Sequence, residues 1–160
     1  MNKLLRLALT GLTFFAISAA TVSSFAASAA TNIEEVNTAR LQQIIRSNDG
    51  PIIVEFYDST DPDASGECAR EKPLFDAAFA EYAGQVTFLR FDIKQDRALA
   101  NAGRLVVCPT HLFINHHFPD PTTVPTSVPN RTPFRHWGIL TGDQFEELIS
   151  DFFGIAKPTP

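Results

Sequence analysis

The chain has 160 residues and is moderately acidic, with 13 Lys and Arg against 18 Asp and Glu and a formal net charge of −5 at pH 7. An acidic surface repels the phosphate backbone of nucleic acids, so we expect no nucleic-acid partner. The length is sufficient for one sizeable hydrophobic core, which predicts a single folded domain.

The N-terminus has the layout of a secretory signal. Lys3 and Arg6 precede a mostly apolar run, and small residues follow as far as Ala30. Ala-x-Ala-like patterns place cleavage near residue 26 or residue 29, so that 1–29 would be removed. The run is too short and too rich in small residues for a membrane span, and we expect no stable membrane insertion after cleavage. The sequence therefore predicts a periplasmic or secreted protein.

The mature part divides into a domain at 30–156, with a Pro-rich insertion at 118–133, and a frayed tail at 157–160. Hydrophobic periodicity and turn signals predict the order β-α-β-α-β-α-β-β-α within the domain. In chain order the predicted elements are a strand at 33–36, a helix capped by Asn37 or Thr38 and ended by Asp49-Gly50, a buried strand at 51–57, a helix at 65–82, a strand at 86–91, a loop with a short helix at 92–102, strands at 112–115 and 134–139, and a helix that begins near residue 141.

Three local signals refine these elements. Pro73 lies inside the 65–82 helix and is expected to kink it. Gly103 ends the short helix and suits a left-handed C-terminal position. Thr141-Gly142-Asp143-Gln144 matches a capping box at the start of the last helix.

Two short segments about 40 residues apart contain the only two cysteines. Ser65-Gly66-Glu67-Cys68 opens a helical pattern, and Val107-Cys108-Pro109-Thr110 opens a strand. Together they resemble the active site of the thioredoxin family, in which a Cys-x-x-Cys at a helix N-terminus faces a cis-proline that precedes a strand. Here Ser65 occupies the position of the leading cysteine.

The resemblance extends over roughly 33–154 and has further local anchors. Pro73 matches the family's kinking proline, Gly138 its glycine after the last strand, and Glu55 its buried acid under the site. The resemblance implies an α/β thioredoxin-like fold, with a central mixed β-sheet flanked by helices and a cis-proline loop at Pro109. Two departures are a longer loop before Ser65 and the Pro-rich insertion.

The resemblance assigns the chemistry to Ser65, Cys68, Cys108 and Glu55. Family chemistry needs a thiolate at the helix N-terminus and a second thiol that resolves the mixed disulfide. Ser65 cannot form a disulfide, so the resemblance implies a thiol-disulfide oxidoreductase with weak or atypical activity. Cys108 is implied to lie close to the turn that holds Cys68.

The state of the two thiols has three alternatives. An oxidising compartment allows a Cys68–Cys108 disulfide, which requires Cα atoms within about 7 Å. The thiols could instead be redox-active, or inert core residues, as free cysteines often are. The residues alone leave all three alternatives open.

The resemblance also implies a groove for extended peptides next to the cis-proline, where backbone groups stay unpaired. Its residues are Val107, Cys108, Pro109, Trp137 and Gly138. Simple core burial of Trp137 is the competing interpretation.

The sequence gives little support for a metal, and we expect no cofactor. Asp61 to Gly66 resembles the start of a calcium loop, but Lys72 stands where the bidentate acid is required. The four histidines, at 111, 116, 117 and 136, lack zinc spacing, and a solvated hairpin end explains them better.

The insertion contains five prolines, and this composition favours extended polyproline geometry. It is predicted to be a solvated loop, with a partner-binding arm as the alternative.

Two functional hypotheses follow. The first is thiol-disulfide handling of partner proteins through Cys68 and Cys108. The second is a non-catalytic module that holds a peptide or a protein partner in the cis-proline groove.

Overall fold

The computed structural model describes residues 32–60, 66–105, 107–115, 131–132 and 135–158. The described elements alternate between strands and helices along the chain. They are β1 (Glu34–Glu35), α1 (Thr38–Ser47), β2 (Ile52–Tyr57), α2 (Glu67–Tyr82), β3 (Thr87–Asp92), α3 (Arg97–Ala102), β4 (Thr110–Ile114), β5 (Arg131–Thr132), β6 (Arg135–Trp137) and α4 (Gly142–Phe153).

The strands form one six-stranded mixed sheet in the order β1-β3-β2-β4-β6-β5. The β1 and β2 strands run parallel to β3, whereas β2–β4, β4–β6 and β5–β6 are antiparallel pairs. β2 therefore lies in the middle of the sheet, between the strand that precedes α3 and the strand that carries the second cysteine segment.

The sheet separates two hydrophobic clusters because successive side chains of a strand point to opposite faces. Ile52, Val54 and Phe56 pack on one face with residues of α1 and α3. Ile53 packs on the other face with residues of α2 and α4, including Phe75 and Phe145. Burial of both faces explains why β2 reads as a nearly unbroken apolar run.

The predicted fold class is confirmed, and the predicted order of elements holds with one addition. The structure adds β5, a two-residue strand inside the predicted Pro-rich insertion. The other bounds agree with the prediction to within two residues, as is usual where strand and helix ends depend on tertiary pairing. The rest of the insertion at 118–130, and Pro133, lie outside the described residues.

The prediction for Gly103 is wrong. Its φ of −79° is right-handed, and Arg104 instead takes the left-handed conformation with φ 54°. The Leu105 N–H donates to the Ala100 carbonyl at 2.8 Å and Leu105 is buried, which holds Arg104 in this conformation. Glycine suits position 103 for a different reason, since a Cβ there would come within 3.1 Å of the Leu105 side chain.

The last helix is capped at both ends. The Gln144 N–H donates to the Thr141 hydroxyl and the Gln144 side chain accepts from the Thr141 N–H, so the predicted capping box is confirmed. Gly154 ends α4 in the left-handed conformation, with φ 68°. Lys157 was predicted to lie in a frayed tail, but its Nζ pairs with Glu81 and Glu146, each at 3.0 Å.

We predict that Thr141→Ala lowers the free energy of unfolding by about 1 kcal/mol, because the first turn of α4 loses its side-chain acceptor. Thr141→Ser keeps a hydroxyl at this position and should retain most of the stability. Urea denaturation of the three proteins measures the difference, and equal midpoints for wild type and Thr141→Ala would contradict the assignment.

Candidate functional site

The first cysteine segment lies at the start of α2. Gly66 is the N-cap residue, with extended backbone angles and no side-chain cap, and Cys68 falls in the first helical turn. Cys68 is buried with 9% of its surface exposed. Ser65 lies outside the described residues.

The second cysteine segment leads into β4. The Cys108–Pro109 peptide bond is cis, and Pro109 is buried while Cys108 is partly exposed. The Thr110 hydroxyl donates to the Val107 carbonyl at 2.5 Å, and the Gly138 N–H donates to the Pro109 carbonyl at 2.9 Å. These bonds connect the segment to its own strand and to the end of β6.

The two segments meet, and Cys68 and Cys108 form a disulfide with a Cα–Cα distance of 5.5 Å. The described residues contain no free cysteine. Of the three alternatives that the sequence leaves open, the structure therefore shows the bridged state. A disulfide can be structural or redox-active, and the difference depends on which sulfur a partner can reach.

The buried acid Glu55 lies on β2, on the face that packs against α2. Its Oε2 is 2.5 Å from Arg90 Nε of β3, and Arg90 also contacts Asp76 Oδ1 at 2.9 Å. The Arg90 guanidinium lies over the Phe75 ring, 5.2 Å from its centroid. Burial raises the pKa of Glu55, and the positive charge of Arg90 acts in the opposite direction.

A second buried acid, which sequence analysis missed, lies one helical turn after Cys68. Glu71 is fully buried, its Oε2 accepts from the Leu140 N–H at 3.0 Å, and its Oε1 is 3.1 Å from His111 Nε2. Burial raises the pKa of Glu71 to about 8 and lowers the pKa of His111 to about 4. At neutral pH the Glu71 carboxyl group is therefore protonated and the His111 ring is uncharged. The sequence contained one usable signal, because Glu71 is a charged residue on the apolar face of α2.

The interpretation of the histidines as a solvated hairpin end is wrong for the two that the structure describes. His111 is completely buried and His136 is 2% exposed. They are directly paired between β4 and β6, and the antiparallel pairing with β2 places Glu55 opposite His111. Their burial depends on strand register, which the local sequence does not reveal. His116 and His117 lie outside the described residues.

The predicted groove residues lie around the cis-proline segment. Val107 is 43% exposed, a high value for a large hydrophobic residue. Trp137 is half-buried and pairs with Thr110 across the β4–β6 ladder. Arg135 lies over its ring at 5.8 Å from the centroid. Gly138 has φ +94°, a conformation that L side chains rarely adopt.

Within the described ranges, no group of three or more His, Cys, Asp or Glu side chains is arranged to hold a metal ion. The first part of the calcium-like segment, at 61–65, lies outside these ranges. In the part of the chain that the structure describes, no helix is long and apolar enough to cross a membrane.

We predict that reduction of the disulfide lowers the free energy of unfolding by about 3 to 4 kcal/mol, the chain-entropy value for a loop of this length. The bridge joins residues 40 positions apart and therefore restricts the unfolded chain. Urea denaturation with and without dithiothreitol measures the change. The double variant Cys68→Ser/Cys108→Ser serves as the control, because it should not respond to the reductant. Equal stability of oxidised and reduced wild type would contradict the prediction.

We predict a fall in stability between about pH 6.5 and pH 8. Glu71 has a folded pKa of about 8 and keeps a proton that the unfolded chain releases near pH 4.3. Its contribution to the free energy of unfolding therefore decreases as pH rises towards the folded value. His111, with a folded pKa of about 4, lacks a proton that the unfolded chain binds below about pH 6.5. The two effects offset each other below that pH, and only the fall remains above it.

Urea denaturation of the oxidised protein across this pH range tests the assignment. Glu71→Gln is uncharged at every pH and should remove the fall. Glu67→Gln, which changes an exposed acid on the same helix, should retain it. A fall that persists in Glu71→Gln would assign the titration to another group.

Comparison with known proteins agrees with this architecture. A family-wide sequence profile named Thioredoxin matches residues 32–125. The chain is 29% identical over 107 residues to a thioredoxin of Borreliella burgdorferi (strain ATCC 35210 / DSM 4680 / CIP 102532 / B31), an alignment that covers 67% of this chain and 77% of the relative. A crystal structure of chloroplastic thioredoxin z superposes with a TM-score of 0.57 at 22% identity, covering 74% of this chain and 92% of the other.

The structural likeness shows the fold, and the sequence profile shows the family because it matches more than half of the chain. The disulfide between the helix start and the cis-proline segment agrees with a redox protein of this kind. The chain belongs to the thioredoxin family.

Proposed function

We propose that this protein is an exported thiol-disulfide exchange protein that acts on partner proteins through Cys68 and Cys108. The observation that carries the proposal is the disulfide itself, which joins the start of α2 to the cis-proline segment. The two sulfurs belong to elements that the thioredoxin family places together at its site. Their environments differ enough to give each sulfur a separate role.

Cys108 is the sulfur that a partner attacks. It is partly exposed and follows the exposed Val107, whereas Cys68 is buried in the first turn of α2. Thiol-disulfide exchange requires access to the attacked sulfur, and it is faster when the leaving thiol has a low pKa. The helix N-terminus stabilises negative charge, which favours departure of the Cys68 thiolate.

The exchange balances in two steps. A partner thiolate attacks Cys108 Sγ, a partner–Cys108 disulfide forms, and the Cys68–Cys108 bond breaks with its electron pair on Cys68 Sγ. A second partner thiolate then attacks the partner sulfur of this mixed disulfide and releases Cys108 as a thiolate. Two protons convert the two thiolates into thiols, so the protein is reduced by two electrons and the partner dithiol is oxidised to a disulfide. The reverse sequence reduces a partner disulfide.

The proposed roles differ from those of a Cys-x-x-Cys site. Serine carries a hydroxyl instead of a thiol and cannot form a thiolate. Ser65 therefore cannot be the nucleophile that its position suggests. Cys108 takes that task from the opposite side of the site, and Cys68 keeps the resolving task. In a Cys-x-x-Cys site the two thiols lie within one helical turn, whereas in this proposal they lie on two different segments.

Export is part of the proposal and rests on the signal-like layout of 1–29. An oxidising compartment outside the cytoplasm would keep the Cys68–Cys108 bond formed in the resting protein. The periplasm or the extracellular space would also supply partner proteins with exposed thiols and disulfides.

Peptide binding without chemistry is a second candidate function. The exposure of Val107 beside the cis-proline segment favours it, because an extended peptide could cover this side chain and pair with the adjacent backbone. The two candidates differ in their need for sulfur: a binding module retains its affinity when both cysteines are replaced.

We predict that glutathione disulfide forms a stable adduct with reduced Cys68→Ser and not with reduced Cys108→Ser. In the first variant Cys108 attacks the reagent and no thiol remains to resolve the mixed disulfide. In the second variant the remaining thiol, Cys68, is buried. Intact-protein mass spectrometry measures the adduct, and wild type should return to its internal disulfide.

Two outcomes would argue against exchange through these sulfurs. An adduct on Cys108→Ser alone would reverse the proposed roles of the two cysteines. Absence of an adduct from both variants, with peptide affinity retained in the double variant, would favour the binding module.

A further inference from the structure

We propose that Glu71, held in position by His111, exchanges a proton with Cys68 during the redox cycle. This inference rests on the proposed function, because it concerns the sulfur that leaves when the disulfide opens. It assigns the proton chemistry of the site to a buried pair other than the Glu55 position that the family resemblance indicates.

The pair connects the same two parts of the fold as the disulfide. Glu71 is three residues after Cys68 on the buried face of α2, a spacing that puts their side chains next to each other. His111 is three residues after Cys108, in β4. The 3.1 Å contact between Glu71 and His111 therefore lies one turn below the disulfide, deeper in the core.

Packing requirements alone do not explain why Glu71 and His111 are polar residues. Glu71 and His111 have no exposed surface, and the rings of Phe75 and Phe145 lie 5.9 Å and 5.4 Å from the His111 ring. Within the described part of the chain, neither ring nitrogen of His111 nor Glu71 Oε1 makes a hydrogen bond, although Glu71 Oε1 and His111 Nε2 lie 3.1 Å apart. A polar pair in such surroundings costs stability, and apolar residues of similar size usually replace it without loss. Costly ionisable groups beside a reactive centre are typical of functional sites.

The neighbouring charges leave Glu71 free to exchange its proton. Glu55 of β2 faces His111, but it is paired with Arg90 of β3. His136 of β6 is the register neighbour on the other side, and Phe145 of α4, which does not titrate, packs against the His111 ring. Among these groups, the Glu55 carboxylate is paired with an arginine, whereas Glu71 Oε1 lies 3.1 Å from the imidazole of His111 and has no hydrogen-bond partner among the described residues.

The raised pKa of Glu71 brings its proton into the pH range in which thiols titrate. The Glu71 pKa of about 8 is close to the reference value of a thiol, about 8.5, and such a match favours proton exchange between a carboxyl group and a thiol. The Leu140 N–H, which donates to Glu71 Oε2 at 3.0 Å, stabilises the carboxylate when the proton has left. His111 can then take up a proton beside the new negative charge.

The steps balance in both directions. When a partner thiolate attacks Cys108, the electron pair moves to Cys68 Sγ and the Glu71 proton follows, so the charge moves from sulfur to carboxylate and solvent later returns the proton. In the reverse direction the Glu71 carboxylate takes the proton of the Cys68 thiol. The resulting thiolate attacks the mixed disulfide on Cys108, and the internal disulfide forms as the partner thiolate leaves.

The test separates the two exchange steps in time. Reduced protein is mixed with dithiobis(nitrobenzoic acid), a disulfide whose thiolate product is coloured, in a stopped-flow instrument between pH 6 and pH 9. The first coloured thiolate reports attack by Cys108, and the second reports resolution by Cys68. Glu71→Gln should retain the rate of the first step and slow the second by about 100-fold near pH 8, where a substantial fraction of Glu71 is ionised and can act as the base.

Two further variants complete the design. Glu67→Gln removes an exposed carboxylate next to Cys68 and should keep both steps. Glu71→Leu/His111→Leu fills the buried space with apolar side chains, so it should fold even if Glu71→Gln does not, and it should lose the second step to the same extent.

The outcomes distinguish this inference from the proposed function. A second step in Glu71→Gln, or in the double leucine variant, that is slowed by less than about tenfold overturns the role of Glu71 and leaves exchange through the two cysteines intact. If wild type shows no second step, or Cys108→Ser keeps the first, the proposed function itself fails.

Discussion

The contact between the first turn of α2 and the start of β4 is the constraint on which the site depends. Two links hold it, the Cys68–Cys108 disulfide at the surface end and the Glu71–His111 pair below. Antiparallel pairing of β4 with the central strand β2 fixes the position along the strand at which these side chains meet. A one-residue slip of β4 would turn His111 to the opposite face of the sheet and separate the pair.

Below the disulfide, ionisable side chains form a row across the sheet. Arg90, Glu55, His111 and His136 are register neighbours on β3, β2, β4 and β6. Each of these four side chains is buried. Neighbouring side chains carry opposite charges or can share a proton, which lowers the free-energy cost of removing them from water. The row explains how the hydrophobic core tolerates four buried polar side chains on adjacent strands.

The two cysteines lie on separate segments, so their disulfide is also a tertiary link within the fold. A bridge within one helical turn closes a very short loop, but this bridge spans 40 positions and ties a helix to a strand. Opening it removes a long-range restraint from the chain as well as an oxidised centre. In this member of the thioredoxin family, the redox state and the attachment of the cis-proline segment are therefore linked.

The sequence by itself determined the order of helices and strands, the capping box of α4 and the two segments that belong together, because these follow from local periodicity, cap chemistry and recognisable motifs. It left the state of Cys68 and Cys108 open and gave no reason to connect Glu71 with His111. Only the tertiary structure decided these points. Both pairs join residues 40 positions apart, and their meeting depends on strand register and on the packing of α2 against the sheet, which are set by many distant contacts together.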